Sequence, residues 1–315
     1  MKSILKSTFA IVFILYLTGC KSIWQEPIPN GEIVYQRYGN NDDPGFHLGF
    51  VQPDGSDNQV LLPNRDFEIP AWSADGEFLY GLTHGKGAYL GYPAYWDFQN
   101  GRFGSCEHSL PFFMWIQGSF TLDNPYEVIV SNHFEIMTID LSDCDKTQTL
   151  VDYSNAPRSI LISGFSYFSS TQDLVYGLIT DPYSYNAQYQ LLLKNLETGA
   201  TARLAEGINP SWSPDGTRIA YIGIDGLYVL DMNDPGAQPK QLLDISFFKS
   251  WTDGGSAAGF VTTPSWSPDG EWLVYHRCEA ARYCTWEDAT IYKIPSSGGA
   301  EEAILQGGEY PSWRP

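Results

Sequence analysis

Positive charge is scarce in this chain. Lysine and arginine number 18 against 37 aspartates and glutamates, a formal net charge of −19 over 315 residues. Nucleic-acid binding needs a basic footprint, so that class is excluded. Adsorption to an anionic bilayer surface is disfavoured for the same reason. Most of the acidity is accounted for by solubility. Long apolar runs are missing too: the stretch at residues 9–17 is too short for a comfortable membrane span. The common catalytic signatures are also absent. Gly254-Gly255-Ser256-Ala257-Ala258 misses the G-x-S-x-G nucleophile elbow at its last position. There is no H-E-x-x-H, no phosphate-binding loop and no dinucleotide-binding glycine pattern.

Repetition is what the chain has instead. Pro264-Ser265-Trp266-Ser267-Pro268-Asp269-Gly270 precedes the apolar run Trp272-Leu273-Val274-Tyr275. Pro210-Ser211-Trp212-Ser213-Pro214-Asp215-Gly216 precedes Ile219-Ala220-Tyr221-Ile222, and Pro70-Ala71-Trp72-Ser73-Ala74-Asp75-Gly76 precedes Phe78-Leu79-Tyr80. The phrase is a turn with a mechanism. Pro presets φ at the first central position, Asp bonds its own backbone, and Gly takes the left-handed position that returns the chain as a hairpin. Weaker copies begin at Phe120 and Phe168, and Pro311-Ser312-Trp313 starts the phrase once more and stops. The aromatics at 72, 120, 168, 212, 266 and 313 are spaced by 48, 48, 44, 54 and 47 residues, close to the repeat length of propeller blades. A second strand pair follows most hairpins, as in Gly226-Leu227-Tyr228-Val229-Leu230-Asp231 with Lys240-Gln241-Leu242-Leu243. Four strands per repeat and six anchors predict an all-β, six-bladed β-propeller. The chain enters with three strands that lack an inner one, at Ile33-Val34-Tyr35, Phe46-His47-Leu48 and Gln59-Val60-Leu61. The missing strand is expected at Tyr310-Pro311-Ser312-Trp313. One blade built from both ends of the chain would close the ring.

The P-S-W-S-P-D-G phrase, followed by a short apolar strand and later by an I/L-Y-x-I/L-D strand, resembles the propeller repeats of TolB-like proteins. Similar repeats occur in the propellers of the prolyl oligopeptidase and dipeptidyl peptidase class. The resemblance covers nearly all of residues 31–315. TolB proteins carry an α/β domain ahead of their propeller, and this chain has no room for one. No hydrolase-sized helical domain follows either, so the peptidases' activity is not carried over. The resemblance implies a propeller that works in envelope assemblies.

Residues 1–20 read as a targeting segment: Lys2 and Lys6, the apolar run, then Leu17-Thr18-Gly19-Cys20, which looks like a bacterial lipobox. Cys20 would then carry lipid, with an uncleaved anchor or an ordinary signal peptide as the competing readings. Lys21 after it resembles the outer-membrane sorting pattern of Gram-negative lipoproteins. Residues 21–30 read as a tether. Cys106, Cys144, Cys278 and Cys284 remain, an even number, which in an exported protein suggests disulfides. Cys278 with Cys284 is the simplest loop pair, and Cys106 with Cys144 would then join the outer edges of neighbouring blades. A zinc site competes, but the Cys-x-x-Cys spacing is absent.

Two regions are candidates for binding. In a four-stranded blade the first–second and third–fourth turns share one face, and the longer connections share the other. Aromatics are concentrated in the long connections: Tyr92, Trp96, Tyr185, Trp251, Tyr283 and Trp286. Rings beside Gly, Ser and Asn suit a protein or glycan partner, and they equally suit loops that pack on each other. The channel mouth is expected to be lined by Glu68, Gln117, Asn209, Thr263, Glu309 and Tyr310, with two carboxylates from adjacent blades that would fit a cation or a basic peptide side chain. His84, His133 and His276 fall near the ends of second strands. Some polysaccharide lyases on similar propellers bind a metal there, and singly hydrogen-bonded histidines are the plainer reading. Asp75, Asp215 and Asp269 are read as capping their own turns, and the repeated Trp residues as inter-blade core. The expected role is non-enzymatic binding of an envelope protein or peptide, with a carbohydrate-active or carbohydrate-binding propeller as the alternative. No cofactor or metal is called for, the bilayer is reached only through lipid, and the chain is expected to work as a monomer.

Overall fold

The computed structural model describes residues 31–39, 45–61, 66–84, 91–106, 115–117, 124–156, 159–182, 184, 187–234, 236–244, 264–278 and 287–315. These form strands and turns only. Three strands open the ring: β1 (Ile33–Tyr38), β2 (Phe46–Val51) and β3 (Gln59–Leu61). Blade 2 contains β4 (Glu68–Trp72), β5 (Phe78–His84), β6 (Gly91–Asp97) and β7 (Arg102–Ser105). Blade 3 contains β8 (Trp115–Gln117), β9 (Glu127–Ser131), β10 (Glu135–Asp140) and β11 (Asp143–Asp152). Blade 4 contains β12 (Ile160–Phe168), β13 (Asp173–Thr180), β14 (Gln188–Asn195) and β15 (Thr201–Ala205). Blade 5 contains β16 (Ile208–Trp212), β17 (Arg218–Ile222), β18 (Gly226–Asp231) and β19 (Lys240–Asp244). Blade 6 contains β20 (Ser265–Trp266), β21 (Trp272–Cys278), β22 (Ala289–Pro295) and β23 (Glu302–Gln306). The last strand, β24 (Glu309–Trp313), pairs with β1 and completes blade 1.

The first strand of each blade touches the first strand of the next, from β24 through β4, β8, β12, β16 and β20 back to β24. This is a closed six-bladed propeller with a channel along its axis. Ile33 pairs with Trp313 and Val34 with Ser312, so the expected closing strand is in register and blade 1 has its four strands, the innermost strand of every blade being a short edge turned to the axis.

The core lies between blades. Period-two alternation sends successive side chains of a strand to opposite faces, and both faces of every second strand are covered. Leu79 joins Val34, Phe50 and Trp72 in the seam between blades 1 and 2. Its neighbours Phe78 and Tyr80 join Val128, Val130 and Ile139 between blades 2 and 3. Ile219 packs with Val175 and Leu191 between blades 4 and 5, while Ala220 packs with Trp266 and Leu273 between blades 5 and 6. This is why the second strands read as unbroken apolar runs. The anchor tryptophans lie in these seams, each packed back on the preceding blade.

The repeated phrase is spent on local structure. Asp215 Oδ1 accepts from Ser213 Oγ (2.6 Å) and from the Thr217 N–H (3.1 Å), and Arg218 N–H donates to Ser213 Oγ (2.9 Å). Asp269 and Ser267 repeat the arrangement, as do Asp75 and Ser73. These bonds, led by the serine hydroxyl, hold the Asp215 and Asp269 carboxyls below the usual range. Gly76, Gly216 and Gly270 have φ of 68°, 67° and 69°, the left-handed conformation such a turn requires. The serine before the anchor aromatic works between blades: Trp313 N–H donates to Ser265 Oγ at 3.0 Å.

Candidate functional site

The long connections and the channel mouth share one end of the ring, because β4, β16 and β24 all begin there. Their entry is distorted in the same way. Ile69, Gly164, Asn209 and Tyr310 have φ of 51°, 69°, 50° and 47°. Each lies where the pairing of the innermost strand with the second strand slips register. A non-glycine residue held in this region costs on the order of 1–3 kcal/mol, so the bulges must be held in place. In two blades the holding group is visible. Ile69 N–H donates to Gln36 Oε1 (2.9 Å), and Tyr310 N–H donates to His276 Nδ1 (2.8 Å). Gln36 and His276 occupy the same place in their strands, each following a buried tyrosine of the preceding blade, Tyr35 or Tyr275.

His276 is thus a backbone clasp. It is 1 % exposed, lies edge-on to Tyr310 with ring centroids 5.1 Å apart, and burial pushes its imidazole down to about 3. Burial also lowers His133, and the side chain of His84 lies outside the described residues. Among the described residues no three metal-ligating side chains come together.

Directly before two of the bulges stand the carboxylates. Glu68 opens β4 opposite Leu82, and Glu309 opens β24 opposite Gln36. Burial, and then the charge of Glu68, raise Glu309 to about 7. The charge of Glu68 on the next blade thus adds to burial in holding the proton on Glu309. Asn209, 6 % exposed, leaves its Oδ1 buried without a hydrogen-bond partner among the described residues. Glu68 and Glu309 make this end of the ring acidic. They suit a ligand that brings positive charge or hydrogen-bond donors. Tyr310 is held strongly in its neutral form by burial and by these two acids.

Other expected site residues lie elsewhere. Gln117 ends β8 opposite Ile129. Cys20, Tyr185, Trp251, Thr263, Tyr283, Cys284 and Trp286 lie outside the described residues, as do residues 1–30 and the anchor at Phe120. The expectation that Tyr92 and Trp96 belong to a long loop is corrected, since both are in β6. Tyr92 pairs with Thr83, and Trp96 pairs with Leu79 and Phe103. Trp96 packs against Phe98 and Phe103, with centroids 6.2 and 6.1 Å away. Alternating aromatic residues fit a pleated surface as well as a loop, and here the strand prevails. Cys106 and Cys144 form a disulfide between the outer strands of blades 2 and 3. Cys278 is disulfide-bonded as well.

Sequence reasoning missed the Gln36 and His276 clasps. Their one signal is the shared position after Val34-Tyr35 and Val274-Tyr275.

No family model and no curated protein matches the sequence. Solved structures do match. TolB from Acinetobacter baumannii is similar with a TM-score of 0.63 at 16 % identity, over 92 % of this chain and 68 % of that one. A chain of a nidogen/laminin complex matches with a TM-score of 0.62 at 10 % identity, over 90 % and 97 %. A putative TolB from Agrobacterium tumefaciens matches with 0.56 at 15 %, over 88 % and 91 %. At such identities the likeness establishes the fold alone, a six-bladed β-propeller.

Proposed function

We propose that this chain is a non-enzymatic, lipid-anchored envelope protein whose propeller binds a protein or peptide through its long-loop face and channel mouth. The observation that carries the reading is the pair of acids at the strand entries, Glu68 and Glu309 on adjacent blades, with Glu309 raised to about 7 by burial and then by the charge of Glu68. A lysine or arginine side chain would bring positive charge and donors to this acidic pair. The TolB-like fold agrees with a protein-binding role at a coarse level. Cys20 would supply the anchor, and Tyr185, Trp251, Tyr283 and Trp286 the contacts around the mouth.

A cation beside Glu309 favours its ionised form, so binding should release a proton and tighten as pH rises from 6 to 8. The test is fluorescence anisotropy with a panel of short lysine-containing peptides and their lysine-acetylated counterparts. Acetylation, or Glu68→Gln with Glu309→Gln in a folded variant, is expected to weaken binding at least tenfold. Binding of oligogalacturonate with no binding of any basic peptide would replace this reading with the glycan one. The mass of the envelope-extracted protein checks the anchor: acyl chains on Cys20, absent from Cys20→Ala.

A further inference from the structure

The seam between blades 3 and 4 lacks the ring that fills its counterparts. In blade 5 the residue opposite Ala220 is Val229, which packs with the anchor Trp266 of blade 6. In blade 1 the residue opposite Val34 is Phe50, which meets Trp72 of blade 2. In blade 3 the same place, opposite Ile129, is held by Thr138, half-buried between the buried Met137 and Ile139. Blade 4 brings no tryptophan to it. Phe168 packs the other way, on Trp212 of blade 5 at 5.7 Å, and the ring turned to blade 3 is Tyr167. Arg218, which starts β17 opposite Asp231 and lies over the Trp266 ring, has Glu127 in its place, at the start of β9 opposite Asp140. A cavity of about 440 Å³ is left between the two blades, within the roughly 300–1,000 Å³ of small-molecule sites.

Strand register shows which side chains face this cavity, because directly paired residues share a face of the sheet. Ile129, Thr138 and Gln148 are successive partners across blade 3, and Ile129 belongs to the apolar cluster of this seam. Tyr167, Leu174 and Lys194 are successive partners across blade 4, and Leu174 belongs to the same cluster. The two rows therefore confront each other, and Thr138, Gln148, Tyr167 and Lys194 all line the cavity. Lys194 Nζ reaches across to donate to the Leu150 carbonyl oxygen of blade 3 at 2.7 Å, which engages one of its three N–H bonds. Burial, and then the charge of Glu127, hold the Tyr167 phenol above its ordinary value. Among the described residues, the charges in the lining are those of Glu127 and Lys194. They are one of each sign, so the walls favour a neutral polar molecule over an ion.

We propose that this cleft is a second binding site, for a neutral saccharide unit. A sugar hydroxyl both donates and accepts. It meets here the Gln148 amide and the Thr138 hydroxyl, which do the same, the Lys194 ammonium, which only donates, and the Glu127 carboxylate, which only accepts. The C–H face of the sugar ring lies on Tyr167. The cleft belongs to blades 3 and 4, whereas Glu309 and Glu68 belong to blades 1 and 2, so this site and the channel-mouth reading can each fail alone.

The test uses the full chain with ¹³C-labelled threonine methyl groups. Thr138→Val, which installs the residue type that blade 5 has at Val229, assigns the Thr138 signal. Cellobiose, maltose and lactose are the probes, with sorbitol as an open-chain polyol. At least one disaccharide is expected to shift the Thr138 signal saturably at millimolar concentration, with the Thr83 signal of blade 2 unmoved and with at least tenfold weaker binding of sorbitol. Gln148→Ala, at an exposed position, and Lys194→Met, which keeps the length of the side chain, are each expected to weaken binding at least tenfold. No saturable shift at Thr138 with any of the three sugars, sorbitol binding equal to theirs, or unchanged affinity in either folded variant would each overturn the proposal.

Discussion

The seam between blades 5 and 6 and the seam between blades 2 and 3 solve one problem in two ways. At the first, the repeated phrase supplies the fastening. Trp266 enters the apolar cluster and donates to the Ser211 carbonyl oxygen. Arg218 lies over the Trp266 ring, donates to the Gly270 carbonyl oxygen at 2.9 Å and reaches Ser296 at 3.0 Å. At the second seam, blade 3 lacks the Trp-Ser-Pro-Asp-Gly phrase. There the outer strands are joined covalently by Cys106–Cys144, and Tyr80 donates to the Pro125 carbonyl oxygen at 2.6 Å. Where the repeat has decayed, a cross-link takes over. Constraint is redistributed around the ring, so the blades need not be equally well made.

The contrast can be broken by mutation, and the largest effect belongs to the covalent seam. Cys106→Ser with Cys144→Ser opens a cross-link across 38 residues, which chain entropy values at about 3–4 kcal/mol. Urea unfolding reads this directly, and a loss below about 1 kcal/mol would erase the distinction between the seams. Next is the clasp between blades 6 and 1. His276→Leu leaves the Tyr310 N–H buried without its acceptor and should cost about 2 kcal/mol. His276→Gln should recover more than half of that, because Gln36 performs the same task one blade on. Arg218→Ala should cost only about 1 kcal/mol, since its ring contact and hydrogen bonds are half-exposed.

The smallest net effect is the dependence on pH, because two seams oppose each other. Folded His276 stays neutral down to about 3, while the unfolded residue takes a proton near 6.5. Its contribution is present above 6.5 and is lost as pH falls below that value. Folded Glu309 holds its proton up to about 7 against 4.5 in its ordinary state. Its contribution is present below 4.5 and is lost as pH rises through 7. His276→Gln should therefore flatten the acid flank of a stability-versus-pH curve and Glu309→Gln the alkaline flank. If both variants kept the parent curve, neither group would titrate as its surroundings require.

The sequence carries the fold in the places where one phrase must do one local job. Ser, Pro, Asp and Gly at fixed offsets can scarcely avoid a capped hairpin, and the truncated copy at Trp313 forecast which strand closes blade 1. The strand positions of two acids were legible for the same reason, as a fixed offset from the anchor aromatics puts Glu68 and Glu309 at the starts of β4 and β24. The clasps were not legible, because Gln36 and Ile69 are 33 residues apart and on different blades. Nothing local marks a side chain whose partner is a neighbour's distorted backbone. Trp96 was misplaced for a related reason: the pattern Tyr92, Tyr95, Trp96 does not say whether the rings meet a partner or, as they do, Phe98 and Phe103.

Both chain ends leave the ring at the hairpin end. Arg314 N–H donates to the Glu32 carbonyl oxygen at 2.7 Å, and Ile33 lies opposite Trp313. Under the anchoring proposed at Cys20, the ten residues 21–30 could reach at most about 35 Å when fully drawn out. The disc would then ride close above the lipid with its underside down, and its acidic opening would look away into the aqueous compartment. A bulky visitor would dock from above.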